Sequence, residues 1–84
     1  MRDPSVQLAA FARTLRRLRR ERDLSQEALA DRSGISAKHI GEIERANKEP
    51  GITTVMKLSD GLELPLSEFF AHVDERREAV TSLA

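Results

Sequence analysis

Few of the 84 residues are of types that do covalent chemistry, and none of those falls into a working arrangement. There is no Cys, which removes disulfides, thiolate zinc sites and cysteine nucleophiles. His39 and His72 cannot build a tetrahedral metal site by themselves. Glu42 and Glu44 stand two apart on a helical stretch, so they point to different faces and make no acid/base pair. No grouping of Ser, His and Asp rises above chance. The expectation is a protein that is not an enzyme and needs no metal or cofactor. What remains is recognition by hydrogen bonding, and it concentrates in SQEALADRSGISAKHIGEIER, from Ser25 to Arg45. Two capping serines in that stretch start two helices. The N-termini at Gln26 and Ser36 present free N–H groups and positive dipole ends, which suit phosphate.

These groups need elements to hold them, and the spacing supplies helices. Asp3-Pro4 is a helix start, with Asp as N-cap and Pro at the first helical position. Leu8, Phe11, Leu15 and Leu18 then recur at three and four, one apolar face running to about Glu21. The other faces carry Arg13, Arg16, Arg17, Arg19, Arg20 and Arg22. Ser25 caps a second helix, with Glu27 in its first turn and Ala28, Leu29 and Ala30 on its buried side. Gly34 ends it in the left-handed conformation. Ser36 caps a third helix, in which Ile40 and Ile43 face inward, Ala37, Lys38, Gly41 and Glu42 face outward, and which fades near Asn47. Ile52, Val55, Met56, Ser59 and Leu62 make the inner face of a fourth. Pro65 opens a fifth with Leu66, Phe69, Phe70 and Val73, and Thr81 to Ala84 fray. No strand pattern, repeat or low-complexity segment interrupts this all-α, five-helix reading of a single domain, 1–84.

Two helices crossing through a short turn need a small residue where they touch, here Ala30. They also need a residue that accepts positive φ, here Gly34 four positions on. Ile40 and Ile43 then lock the second helix onto the core. In order and across the chain, from about Phe11 to Phe70, these residues resemble the helix-turn-helix of the phage-repressor superfamily, the Cro/cI or xenobiotic-response-element type. LSQEALA is similar to the opening of that family's second helix, and KLSDGLELPLSEFF to its fourth helix and the start of its fifth. The resemblance implies a sequence-specific double-stranded DNA-binding transcriptional regulator that reads the major groove with its third helix.

Carried over position by position, the resemblance implies base contacts from Ala37, Lys38 and Glu42. It implies phosphate contacts from Gln26, Ser36, His39, Arg45, Asn47 and Lys48, and a structural ion pair between Arg19 and Glu44. The chemistry agrees. Lys38 donates to guanine N7 and O6, and Glu42 accepts from cytosine N4 or else needs a basic neighbour. Ala37 offers a methyl. The chain departs from the family at Ala46, where Gly commonly closes the third helix. There Asn47 takes the left-handed position or the helix runs on. Gly41 inside the reading helix costs about 0.5–1 kcal/mol against Ala, and reads either as close approach to DNA or as drift at an exposed site.

Net charge is zero, from 14 basic and 14 acidic residues. The charge is nevertheless polarised. Met1 to Leu24 has seven arginines against three carboxylates, and Gly51 to Ala84 has three basic groups against six acidic ones. One face can therefore bind phosphate in a neutral protein, with modest non-specific binding at physiological salt. Arg16, Arg17 and Arg20 read as solvent or partner contacts rather than phosphate contacts, and His72 as surface or interface. Aromatics are 4%, all Phe, so bases are not stacked on aromatic platforms. No apolar run or leader pattern suggests a membrane or export, and a cytoplasmic location is expected.

One reading helix makes few contacts, so a homodimer on a palindromic operator is expected. With no further domain in these residues, its interface should come from the fifth helix, about 65–80, through Leu64, Leu66, Phe69, Phe70 and Val73. Leu66 and Phe70 most resemble core positions. Compact size gives a weaker likeness to restriction–modification controller proteins. An antitoxin-type protein that binds a partner protein and autoregulates its operon is the alternative reading. A dimerisation module without DNA binding is a third.

Overall fold

The computed structural model describes residues 5–83, and the side chains of 6–78. Asp3 and Pro4, read above as the start of the first helix, lie outside the described residues, as does Ala84. Among the described residues there are five α-helices and no strand: α1 (Ser5–Glu21), α2 (Gln26–Ser33), α3 (Ala37–Glu44), α4 (Ile52–Gly61) and α5 (Leu66–Leu83). α5 remains helical through 81–83, where fraying was expected.

The core follows the α1 stripe. Phe11, Leu15 and Leu18 are buried with Leu29 of α2, Ile40 and Ile43 of α3, Val55, Leu58 and Leu62 around α4, and Phe69 and Val73 of α5. The rings of Phe11 and Phe69 stack with centroids 5.2 Å apart and planes 18° apart, joining α1 to α5. Thr14 is buried on α1 and satisfies its hydroxyl by donating to the Ala10 carbonyl at 2.7 Å. Arg22 is no solvated charge. Its Nε donates to the Leu62 carbonyl at 2.8 Å and its Nη1 to the Leu18 carbonyl at 3.1 Å, tying the end of α1 to the end of α4.

Three inward assignments change. On α4 the inner face is Val55, Leu58, Ser59 and Leu62, whereas Ile52 is 66% exposed and Met56 50% exposed. On α5 the two adjacent phenylalanines exchange roles. Phe69 is fully buried and Phe70 is 38% exposed. A helix turns 100° per residue, so docking α5 by the Phe11–Phe69 stack turns Phe70 away from α1. Gly61 of α4 lies so close to α2 that a Cβ there would meet Ser33 Cβ at 3.0 Å and a Leu29 methyl at 3.1 Å.

The helix ends are built with few glycines. Gly34 closes α2 at φ 78° and donates its N–H to the Ala30 carbonyl. α1, α3 and α4 end instead on Asp23, Ala46 and Glu63, at φ 55°, 58° and 54°. Each is followed by a backbone bond reaching back five residues: Leu24 to Arg19, Asn47 to Glu42 and Leu64 to Ser59. That is the Schellman closure with a side chain in the left-handed position. The left-handed residue after α3 is therefore Ala46 itself, neither Asn47 nor a continued helix.

Candidate nucleic-acid interface

α2 and α3 form the two helices of the predicted motif, joined by Gly34, Ile35 and Ser36. The Ser25 hydroxyl accepts the Ala28 N–H at 2.9 Å, and the Ser36 hydroxyl accepts the His39 N–H at 3.1 Å. Each cap satisfies one of the first-turn donors that have no partner within the helix. Ile40 and Ile43 are fully buried beneath α3. Lys38 is exposed at its first turn, and Ala37, His39 and Glu42 are half-buried. The Glu42 Oε1 lies 3.5 Å from His39 Nδ1.

A polar network fixes where α3 ends. Arg19 and Glu44 face each other with two bonds, Nε to Oε2 at 2.7 Å and Nη2 to Oε1 at 2.9 Å. Arg19 also donates from Nη1 to the Leu24 carbonyl at 2.8 Å, and Gln26 Nε2 donates to Glu44 Oε1 at 3.1 Å. Four segments are thereby joined: α1, the turn after it, the first residue of α2 and the last residue of α3. The two ionised side chains are 10% and 3% exposed. The hydrogen bond to Glu44 raises the Arg19 pKa further above its already high value, outweighing the opposing effect of burial. Gln26, the expected phosphate contact, is thus oriented by the ion pair and keeps a second N–H to offer.

Gly41 does not face outward on open space. It is buried, and a Cβ there would meet Arg45 Nη1 at 3.0 Å and the Gln26 amide at 3.4 and 3.6 Å. The reading of Gly41 as an exposed site does not hold, because it leaves the space into which the Gln26 and Arg45 side chains fold. Arg45, Asn47 and Lys48 are exposed just beyond α3, in the loop that Ala46 turns. The structure therefore brings Gln26, Ser36, Ala37, Lys38, His39, Glu42 and Arg45 onto the outer sides of α2 and α3 and the loop after them. Sequence reasoning missed Gly41 and Gly61 as spacing residues, since a glycine in a helix carries no signal of what approaches it.

The five residues expected at a dimer interface are not one surface. Phe69 and Val73 are committed to the core, and Leu64 and Leu66 are half-buried against it. Phe70 alone of the five is exposed.

The helix-turn-helix family HTH_3 matches residues 15–69. The chain belongs to this family. It is similar to the HTH-type transcriptional regulator SutR of Escherichia coli strain K12, with 38% identity over 65 residues, 76% of this chain and 36% of SutR. The chain thus spans about a third of that regulator's length. Among solved structures it is similar to the restriction–modification controller protein C.AhdI from Aeromonas hydrophila. There the identity is 35% and the TM-score 0.72, over 75% of this chain and 96% of the other. It also superposes on the controller protein C.Esp1396I, solved as a tetramer on its natural 35-base-pair operator. That match has a TM-score of 0.82 and 25% identity over 84% of this chain and 93% of the other. The resemblance stated from the residues is therefore shown, as is the all-α fold, and the relatives are an HTH-type transcriptional regulator and restriction–modification controller proteins. Among the described residues, no helix is long and apolar enough to cross a membrane.

Proposed function

We propose that this HTH_3 chain is a homodimeric operator-binding regulator that places α3 in the major groove of a palindromic site. The observation that carries the reading is the mounting of α3. It is capped by Ser36 at its outer end, sealed underneath by Ile40 and Ile43, and fastened at its far end by the Arg19–Glu44–Gln26 network. A helix so held has one free side, and that side carries Lys38 at the first turn and Glu42 one turn on. Lys38 donates to guanine and Glu42 accepts from cytosine, with Ala37 offering its methyl to thymine. Gln26, Ser36, His39, Arg45, Asn47 and Lys48 hold the phosphates on either side. The operator complex of C.Esp1396I supports DNA as the ligand.

Two copies are needed because one helix reads only a few base pairs, and half-sites about 34–36 Å apart suit a two-fold dimer. The dimer surface in this proposal is revised to exposed apolar residues: Ile52 and Met56, one turn apart on α4, and Phe70 on α5. The C-terminal helix contributes to pairing through Phe70, while Phe69 and Val73 serve the core. Selection of bound duplexes from random DNA tests the reading. A recovered palindrome with half-sites one helical turn apart is expected, and enrichment of no sequence at low salt overturns it.

A further inference from the structure

The reading face leaves most of the chain's arginines unused, and they gather in one place. Arg13, Arg16, Arg17 and Arg20 of α1 and Arg76 of α5 line a shallow cleft of about 490 Å³ between those helices. Glu21 is the single carboxylate among its lining residues. Positions 13, 16, 17 and 20 follow the three- and four-residue spacing, so they stack along one stripe of α1 about 10 Å long. Among the described residues, Arg13, Arg16, Arg20 and Arg76 carry no hydrogen bond or ion pair. Arg17 is held by an imidazole, with Nη2 3.1 Å from His72 Nδ1. Its Nε lies 3.7 Å from Glu21 and is buried without a hydrogen-bond partner.

Five guanidinium groups facing one carboxylate repel one another in the free protein, and an anion relieves that repulsion. The fork of N–H donors on each group matches phosphate oxygens two at a time. Two absences in the lining define the ligand further. No aromatic side chain is there, so nothing stacks on a base. No apolar side chain is there either, so the cleft lacks the buried anchors that hold a protein partner. We propose that the α1–α5 cleft is a second phosphate-binding site, separate from the α2–α3 face, for closely spaced phosphate groups. Their source is either the DNA backbone beyond the half-site or a free oligophosphate. The first source rests on the operator reading and the second does not.

The test uses the full chain and the variant Arg13→Gln/Arg16→Gln/Arg20→Gln/Arg76→Gln, with folding checked by circular dichroism. The milder pair Arg16→Gln/Arg20→Gln is carried alongside in case the fourfold change fails to fold. In one arm, affinity is measured from 50 to 200 mM salt on a duplex limited to the selected site and on one extended at both ends. In the other, inorganic tripolyphosphate is titrated calorimetrically. If DNA is the source, the wild type binds the extended duplex more tightly, with a slope of log K on log salt steeper by about 0.9 per phosphate engaged. The variant binds the short duplex as the wild type does and loses the gain on the long one. If a free oligophosphate is the source, tripolyphosphate binds the wild type saturably, also with the short duplex bound, and the variant does not bind it. Indistinguishable behaviour of wild type and variants in both arms overturns the proposal. Equal losses on both duplexes also overturn it, because they place the arginines on the reading face. Failure of the wild type to bind the short duplex refutes the operator reading instead and leaves the tripolyphosphate arm to decide this one.

Discussion

Glu44→Ala is expected to be among the most damaging single substitutions outside the apolar core. The Glu44 carboxylate accepts three hydrogen bonds, two from Arg19 and one from Gln26, and is 3% exposed. Removing it leaves the Arg19 guanidinium charged and almost wholly buried, retaining only its bond to the Leu24 carbonyl. Breaking one side of a buried pair costs about 3–5 kcal/mol. A chain of this size has roughly 4–13 kcal/mol in total at 0.05–0.15 per residue, so the variant is expected to sit near the edge of stability. At about 4–8 °C per kcal/mol, Tm falls by at least ~12 °C. An arginine is not deprotonated at any usable pH, so the orphaned charge persists in the variant. In the wild type the hydrogen bond to Glu44 raises the Arg19 pKa, so the stability the pair contributes is present below the ordinary value and is lost only above the raised one. Urea denaturation of wild type, Arg19→Met, Glu44→Leu and the double variant measures the coupling. The double variant is expected to be clearly more stable than the sum of the single losses, since it leaves no orphaned charge. Loss of less than about 1 kcal/mol in Glu44→Ala, or strict additivity in the cycle, would refute the account of the pair.

Other consequences follow from single residues. Lys38→Ala should leave Tm within about 2–4 °C, a surface change, while the selected operator loses its preference at one symmetric pair of positions, at about 1–3 kcal/mol of discrimination. Gly41→Ala meets only the flexible end of Arg45 and the Gln26 amide. Thermal melts should show the fold unchanged or up to about 1 kcal/mol more stable, while salt-dependent titration shows weaker phosphate binding. Gly61→Ala meets Leu29 and the Ser33 backbone, and denaturation should show a loss of about 1–3 kcal/mol from overpacking. Ala46→Gly relieves a left-handed alanine at φ 58° and should stabilise by about 1 kcal/mol. Met56→Asp with Phe70→Asp should shift sedimentation from dimer to monomer and weaken binding to a palindrome more than to a single half-site. An unchanged dimer rejects that surface.

Much of this molecule was legible along the chain. Ser25, Gly34 and Ser36 perform the cap and turn roles assigned to them, and Leu15, Leu18, Leu29, Ile40 and Ile43 are core. These outcomes depend on interactions within one or two turns, where residue type and spacing decide the backbone bonds and the apolar face. The positions of Arg19 and Glu44 were visible only through resemblance, because 25 residues separate them and no local rule couples them.

Tertiary structure decided what local rules leave degenerate. Phe69 and Phe70 are the same residue type one step apart, and only the angle at which α5 meets α1 determines which is core. Ile52 and Met56 satisfy the period of an inward face, yet α4 docks by Val55, Leu58 and Leu62 and leaves them in solvent. Gly41 and Gly61 look alike in sequence. One makes room for two polar side chains and the other for a neighbouring helix. The charge run on α1 was plain from the start, but its meeting with Arg76 needed the fold. A sequence specifies which side of each helix is apolar. It does not specify the crossing angles, and those determine which side chains from distant segments share a surface.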